Sequence, residues 1–209
     1  NISEPLEEEF VITVENCVEI GGLLFKNLTL YPNAHYIVTK TLAVPRGVTL
    51  TIKPGTVIEF NSTAGLTCEG ELVCDGKPDS LIVFKHLGDR YTGPGIKGNN
   101  HTIRYTKITG FECPVEYSAL SQLHIVNSIL AENTEIGGFI SLEKCVVIYN
   151  STYCESPIPG VYCNVVRNTH FIKDAYDFTY SNVFSNEIEK YIEVGDGIWR
   201  HLEVPCNMI

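Results

Sequence analysis

Apolar residues along this chain recur at alternate positions over short runs, and Gly, Pro, Asn or Asp residues interrupt the runs. Alternation with a period of two predicts β-strands with one buried face, whereas an amphipathic helix requires a period near 3.6. The pattern is clearest in residues 35–85. The residues predicted to face inward there are Leu42, Val44, Val48, Leu50, Ile52, Ile58, Phe60, Leu66, Cys68, Leu72, Cys74, Ile82 and Phe84. The chain is therefore predicted to be all-β.

Turn sequences separate these runs at residues 45–47, 53–55, 69–70 and 75–78. Each of them contains Gly, three of the four also contain Pro, and both residue types favour turns. The unit of strand, corner and strand repeats with a period of about 20 residues, which is typical of a solenoid. Each coil then buries its inward residues against the coils above and below.

The run YIVTKTLAVPRGVTLTIKPGTVIEF, followed by GLTCEGELVCDGKPDSLIVFK, resembles the opening coils of extracellular right-handed parallel β-helix proteins with the pectin-lyase-like fold. The matching residues are Gly47, Thr49, Leu50, Ile52, Pro54, Gly55, Thr56, Ile58, Phe60, Gly70, Leu72, Gly76, Ile82 and Phe84. The chain departs from the pattern at Leu81, where proline is usual, and at Gly93, where tryptophan is frequent. The resemblance implies a single-stranded right-handed parallel β-helix and indicates almost nothing about function.

We predict one β-helix domain over residues 1–209. Residues 1–34 form an N-terminal cap and first coil, residues 35–185 the coils, and residues 186–209 a C-terminal cap. Residues 3–9 favour an acidic capping helix with Ser3 as its N-cap, and Trp199 supplies a bulky lid. Four asparagines recur at predicted corners with spacings of 17, 18 and 18, namely Asn133, Asn150, Asn168 and Asn186. Two interpretations are open: their side-chain amides stack into a hydrogen-bonded ladder, or the residues occupy turns without contacting one another.

Cysteines and glycosylation sequons predict an oxidising, extracellular location. The eight cysteines form no Cys-x-x-Cys pair, so disulfides are a better interpretation than zinc ligands. They are Cys17, Cys68, Cys74, Cys113, Cys145, Cys154, Cys163 and Cys206. A Cys68–Cys74 bond across the corner at residues 69–70 is the best single pairing hypothesis. Five Asn-x-Ser/Thr sequons begin at Asn1, Asn27, Asn61, Asn100 and Asn150. We therefore predict a secreted or cell-surface glycoprotein.

Charge and hydropathy narrow the range of partners. Lys and Arg total 15 against 25 for Asp and Glu, so a net charge of -10 disfavours nucleic acid. No apolar run has the roughly 18 residues of a membrane-spanning helix, although an anchor or further domains would lie outside this chain. The histidines are too dispersed to define a metal site, and no cofactor is predicted.

Basic and aromatic residues concentrate in residues 86–104 of this acidic chain. They are His86, Arg90, Tyr91, Lys97, His101 and Arg104, and we predict that they bind an anionic sugar or an acidic partner. The same segment contains a G-x-G-x-x-G sequence at residues 93–98. A strand pattern follows it instead of a helix, so phosphate binding is disfavoured.

The sequence favours a non-catalytic extracellular recognition or adhesion module that binds a protein or a glycan. The residues show no nucleophile elbow, no zinc-protease motif and no pectinase-type blocks. Two alternatives stay open. The first is a polysaccharide lyase or hydrolase, for which Asp174 and Asp177 are the nearest acidic pair. The second is a receptor L-domain-like ligand-binding module, suggested by residues 16–23.

Overall fold

The computed structural model describes residues 17–61, 63–87, 95–98, 101–115, 123–134, 140–148, 150, 158–166, 176–179, 182–184, 187–193 and 199–205. Within these ranges the chain consists of strands, turns and bends, without a helix. The strands are β1 (Cys17–Leu23), β2 (Leu28–Leu30), β3 (His35–Val44), β4 (Thr49–Ile52), β5 (Val57–Phe60), β6 (Leu66–Cys68), β7 (Glu71–Asp75), β8 (Ile82–His86), β9 (Ile96–Gly98), β10 (His101–Arg104), β11 (Thr106–Thr109), β12 (Leu123–Val126), β13 (Ile129–Ala131), β14 (Ile140–Glu143), β15 (Val146–Ile148), β16 (Ile158–Val161), β17 (Asn164–Val166), β18 (Tyr176–Thr179), β19 (Asn182–Phe184), β20 (Glu187–Glu193) and β21 (Trp199–Pro205).

Two large parallel sheets wind around one core. The larger has eleven strands in the order β19-β17-β15-β13-β11-β8-β5-β3-β6-β9, with β1 also paired to β3. The smaller has eight strands in the order β18-β16-β14-β12-β10-β7-β4-β2. The first half of strand β3 pairs with β5, and its second half, after Lys40, pairs with β6. Successive coils therefore stack in parallel, which confirms the predicted all-β solenoid.

The core is formed by the alternate residues that the sequence pattern selected. Of the inward-facing set predicted in residues 35–85, every member is buried except Val48, which is half-buried. Among the residues whose burial the structure describes, Phe60, Phe84 and Phe111 are the largest buried aromatic side chains, and they come from three consecutive coils. The Phe60 ring packs edge-on against both others, at centroid distances of 6.0 Å to Phe84 and 5.5 Å to Phe111. Apolar burial along the solenoid axis thus holds neighbouring coils together.

Corners in four consecutive coils share one local structure. A residue with φ between 48° and 56° comes first, and the side chain of the next residue donates a hydrogen bond to the carbonyl oxygen two residues before it. Positive φ turns the chain sharply, and the side-chain bond satisfies a carbonyl that the turn removes from the sheet. The positive-φ residues are Tyr105, Asn127, Lys144 and Tyr162. The residues that follow them are Thr106, Ser128, Cys145 and Cys163, which we call the corner column.

A second set of corners contains the predicted asparagine ladder. Asn133 and Asn150 are 2% and 1% exposed. The Asn150 Oδ1 atom accepts hydrogen bonds from the Asn133 backbone N–H, at 2.9 Å, and from Asn133 Nδ2, at 3.0 Å. The Asn133 Oδ1 atom in turn accepts the Phe111 N–H at 3.0 Å. The ladder prediction is confirmed for this pair, while Asn168 and Asn186 lie outside the described residues.

The two ends of the chain are described unequally. Strands β20 and β21 form an antiparallel two-stranded sheet inside the predicted C-terminal cap, and Trp199 is the first residue of β21. The predicted acidic capping helix at residues 3–9 lies outside the described residues. In the described part of the first coil, residues 17–34, three large apolar side chains are exposed, namely Leu23, Phe25 and Tyr31, of which Phe25 is 88% exposed.

Candidate functional site

The predicted basic ligand site is not assembled by the fold. His86 ends strand β8 on the inward face and is buried, with its ring centroid 6.1 Å from that of Phe111. Lys97 lies on β9 in the eleven-stranded sheet, whereas His101 and Arg104 lie on β10 in the eight-stranded sheet. Arg90 and Tyr91 are outside the described residues. The prediction of one shared surface is therefore wrong for His86, because strand alternation buries its side chain beside Phe84.

His101 and Arg104 also differ in surroundings. The His101 Nε2 atom lies 3.4 Å from the Cys68 carbonyl oxygen, and the ring packs over Gly98. Arg104 is exposed and stands opposite Asp75 on the neighbouring strand β7. Strand β10 thus holds His101 near the corner and presents Arg104 to solvent on the outer face.

Polar side chains line the outer face of the eight-stranded sheet in two rows. Thr102, His124 and Ser141 are paired in register on β10, β12 and β14. Asp75, Arg104 and Glu143 lie in the adjacent row, with Val126 between the last two. Neighbouring strands are about 4.8 Å apart, so the rows present hydrogen-bonding groups at a regular spacing. We call these six polar residues the polar patch.

His124 is the centre of the closest contacts in the polar patch. Its Nδ1 atom lies 2.6 Å from Ser141 Oγ, and its Nε2 atom lies 3.6 Å from Glu143 Oε2. Lys144 Nζ donates to Glu143 Oε1 at 3.0 Å. The hydrogen bond and the positive charge of Lys144, with a smaller contribution from His124, lower the pKa of the Glu143 carboxyl. Glu143 is therefore a carboxylate at neutral pH.

Sequence reasoning missed His124, Ser141 and Glu143. The signal was present in the segments LHIV and ISLE, whose apolar residues alternate with polar ones. Aligning the two segments by their inward residues places His124 beside Ser141 and Val126 beside Glu143. This alignment required a coil register that the sequence did not supply beyond residue 90.

A second polar cluster lies on the outer face of the eleven-stranded sheet. Glu59 points outward from β5, yet its side chain is only 11% exposed. Its carboxylate accepts from Lys85 Nζ at 3.0 Å and lies 3.2 Å from His35 Nε2. Lys85 is the partner of Glu59 on strand β8, and His35 lies on β3, on the other side of β5. The cluster therefore links three adjacent strands, which indicates a structural role.

The predicted Cys68–Cys74 disulfide is wrong for this structure. Both side chains are buried thiols, and Cys74 Sγ lies 3.5 Å from the Thr106 hydroxyl oxygen. Cys74 is the fourth residue of β7, so about 10 Å of strand separates it from the corner after Cys68. A disulfide spans Cα atoms only about 4.4–6.8 Å apart. Among the other predicted members, Cys154 and Cys206 lie outside the described residues.

Burial predicts which thiols react in the reduced, folded protein. Desolvation raises the pKa of Cys68 to about 11 and that of Cys74 to about 12, whereas Cys17 is exposed on β1. A pKa near 11 leaves on the order of one thiolate in a thousand at pH 8. We expect iodoacetamide to modify Cys17 within minutes and to leave Cys68 and Cys74 largely unmodified, as measured by peptide mass spectrometry. Equal labelling of the three thiols in the folded protein, without denaturant, would contradict this burial pattern.

The sequons occupy different environments. Asn27 is exposed, and only its Oδ1 atom is engaged, by the Thr49 N–H at 3.0 Å. Asn61 is half-buried, and Asn1 and Asn100 lie outside the described residues. Asn150 is 1% exposed, and its Nδ2 atom donates to the Leu130 and Ile148 carbonyl oxygens. Because a glycan is attached through Nδ2, the predicted glycan on Asn150 is incompatible with this fold.

The described residues contain no group of three or more His, Cys, Asp or Glu side chains placed to hold a metal ion. They also contain no helix of the length and hydropathy that a bilayer span requires.

Fold and surface together define a β-solenoid protein with a polar outer sheet face. No protein-family model matches the chain, and no solved structure matches it. Among curated proteins, the chain is similar to Protein bark beetle of Drosophila melanogaster, with 38% identity over 65 residues. The match covers 31% of this chain and 2% of that protein. It therefore relates about a third of this chain to a small part of a much longer protein.

Proposed function

We propose that this chain is a non-catalytic recognition or adhesion module of an extracellular glycoprotein, and that its polar patch binds a glycan. The observation that carries the proposal is the in-register row of Thr102, His124 and Ser141 beside Arg104 and Glu143. Hydroxyl, imidazole, guanidinium and carboxylate groups are the side chains that exchange hydrogen bonds with sugar hydroxyls. Stacked strands fix the backbone of these residues, so little backbone entropy is lost on binding.

Glycoprotein character is supported by Asn27. Asn27 is the first residue of the sequon Asn27-Leu28-Thr29 and lies in the turn before β2. The residue is exposed, so its Nδ2 atom, to which a glycan would be attached, faces solvent. The even number of cysteines and the sequons at Asn1, Asn27, Asn61 and Asn100 favour passage through the secretory pathway. The expected partners are therefore glycans or glycan-bearing proteins at the cell exterior.

A printed array of neutral, amino and acidic oligosaccharides tests the proposed ligand class. We expect the purified chain to bind a subset of these sugars, and the double variant His124→Ala/Ser141→Ala to bind them about tenfold more weakly. This estimate corresponds to the loss of one or two hydrogen bonds of about 1 kcal/mol each. Lys40→Ala, an exposed residue on the other large sheet, is the control. Absence of glycan binding, or equal loss in both variants, would overturn the proposal.

A carbohydrate-active hydrolase is a second candidate because Ser141, His124 and Glu143 have the connectivity of a nucleophile, a base and a carboxylate. Two features favour recognition over catalysis. The His124–Glu143 distance of 3.6 Å exceeds a strong hydrogen bond, and both side chains are more than a third exposed, so water screens them. Release of acid from acetylated oligosaccharides that is abolished in Ser141→Ala would favour the hydrolase. Unchanged background release would favour recognition.

A further inference from the structure

The corner column changes chemistry along the solenoid. Its first two members, Thr106 and Ser128, donate from hydroxyls to the Arg104 and Val126 carbonyl oxygens at 3.0 and 2.7 Å. Its last two members are Cys145 and Cys163, whose sulfurs make the same contact at 3.3 and 3.5 Å. A thiol is a weaker donor than a hydroxyl. The corner contact alone therefore does not explain why two adjacent positions carry cysteine.

Cys145 and Cys163 are stacked on neighbouring coils. Each immediately precedes a strand, and those strands pair in parallel with Val146 opposite Asn164. The Asn164 N–H donates to the Cys145 carbonyl oxygen at 2.9 Å, which continues the ladder through the cysteines. Residues so stacked have Cα atoms about 4.8 Å apart, within the roughly 4.4–6.8 Å of a disulfide. Both side chains are buried, at 0% and 1% exposure, and a hydrogen bond joins the two thiols.

We propose that Cys145 and Cys163 form a disulfide that links two consecutive coils. The oxidant is a small-molecule disulfide such as oxidised glutathione. One protein thiolate attacks it and displaces one glutathione thiolate, which forms a mixed disulfide. The second cysteine loses its proton, attacks the protein-bound sulfur and displaces the other glutathione. Two protein thiols thus lose two protons and two electrons, and one oxidised glutathione becomes two reduced ones.

The local environment indicates which thiol attacks first. The hydrogen bond from Cys145 stabilises the Cys163 thiolate and lowers the pKa of Cys163 to about 7. The same contact, together with burial, raises the pKa of Cys145. Cys163 is therefore the nucleophile near neutral pH, and Cys145 resolves the mixed disulfide. Oxidised glutathione cannot reach the buried sulfurs of the folded chain. We therefore expect the bond to form as the last coils dock, after the two thiols come into contact and before they are enclosed.

Peptide mapping identifies the pairing directly. Trypsin leaves Cys145, Cys154 and Cys163 in one peptide, since no Lys or Arg lies between Lys144 and Arg167. Subsequent chymotrypsin cleavage after Tyr149, Tyr153 and Tyr162 separates the three cysteines. After refolding in a glutathione redox buffer and alkylation, we expect the peptide of residues 145–149 to be linked to that of residues 163–167. Linkage of either cysteine to Cys154, or alkylation of both before reduction, would overturn the proposal.

A thermal measurement provides an independent readout. The bond closes a loop of about 18 residues, so we expect oxidation to raise Tm by about 10 °C. In the double variant Cys145→Ser/Cys163→Ser, each serine can make the corner hydrogen bond that Ser128 makes in its own coil. We expect this variant to show no increase in Tm on oxidation. Cys17→Ser, which changes an exposed cysteine, is expected to retain it. An increase that persists in the double variant would overturn the assignment. Purified chain and glutathione suffice, so the outcome is independent of glycan binding.

Discussion

Replacing Phe60 with alanine is expected to lower the free energy of unfolding by about 4 kcal/mol. Phe60 is 1% exposed and lies between Phe84 and Phe111 of the next two coils. Its removal leaves a cavity that the stacked backbone cannot fill, because the spacing of the coils is set by hydrogen bonds between strands. Urea unfolding followed by far-ultraviolet circular dichroism measures the change.

Phe25→Ala is the matched control for this prediction. Phe25 is 88% exposed in the turn between β1 and β2. We expect its replacement to change the free energy of unfolding by less than about 0.5 kcal/mol. Similar destabilisation by the two variants would show that the three-ring cluster does not stabilise the stacking of the coils.

Asn133→Ala is expected to destabilise the fold by about 3 kcal/mol. The buried Asn133 side chain accepts the Phe111 N–H and donates to the Ile108 carbonyl oxygen and to Asn150. Alanine supplies neither function, so the Phe111 N–H and the Ile108 carbonyl oxygen lose this partner in a site shielded from water. Urea unfolding measures the loss of stability, and hydrogen exchange at the Phe111 amide reports the broken bond locally.

The comparison for this variant is Asn33→Ala. Asn33 lies in an exposed turn before β3, so its replacement should shift the unfolding midpoint only slightly. If the Phe111 amide remained as protected in Asn133→Ala as in the parent chain, the ladder would not hold the coils together.

The amount of the fold that can be predicted differs along the chain. In residues 35–85, alternation and turn residues agree at each corner, and the predicted inward face is buried with the single partial exception of Val48. Beyond residue 90 the corners use positive-φ residues such as Tyr105 and Asn127 in place of glycine. Such corners have no distinctive composition. The positive-φ position accepts several residue types because the next residue stabilises the corner with a hydrogen bond from its side chain.

The candidate site was less predictable than the fold. Residues 86–104 looked like one basic surface in sequence, but His86, Lys97 and Arg104 lie on three different strands, β8, β9 and β10. His86 is consequently buried, while Arg104 contributes to the polar patch with His124 and Ser141 from later coils. Such neighbours are about 20 residues apart in the chain and about 4.8 Å apart in space, so only the register brings them together.

Local sequence pattern is sufficient to predict the strand period, the turn positions and the parallel solenoid, because alternate burial and turn chemistry act over a few residues. Which side chains meet depends on how the coils pack. This packing separates Cys68 from Cys74, stacks Cys145 on Cys163, and places Asn150 in the buried ladder. The reason is that pairing register is a property of two coils at once. A shift of one residue exchanges the inner and outer faces, so local pattern cannot fix contacts between coils.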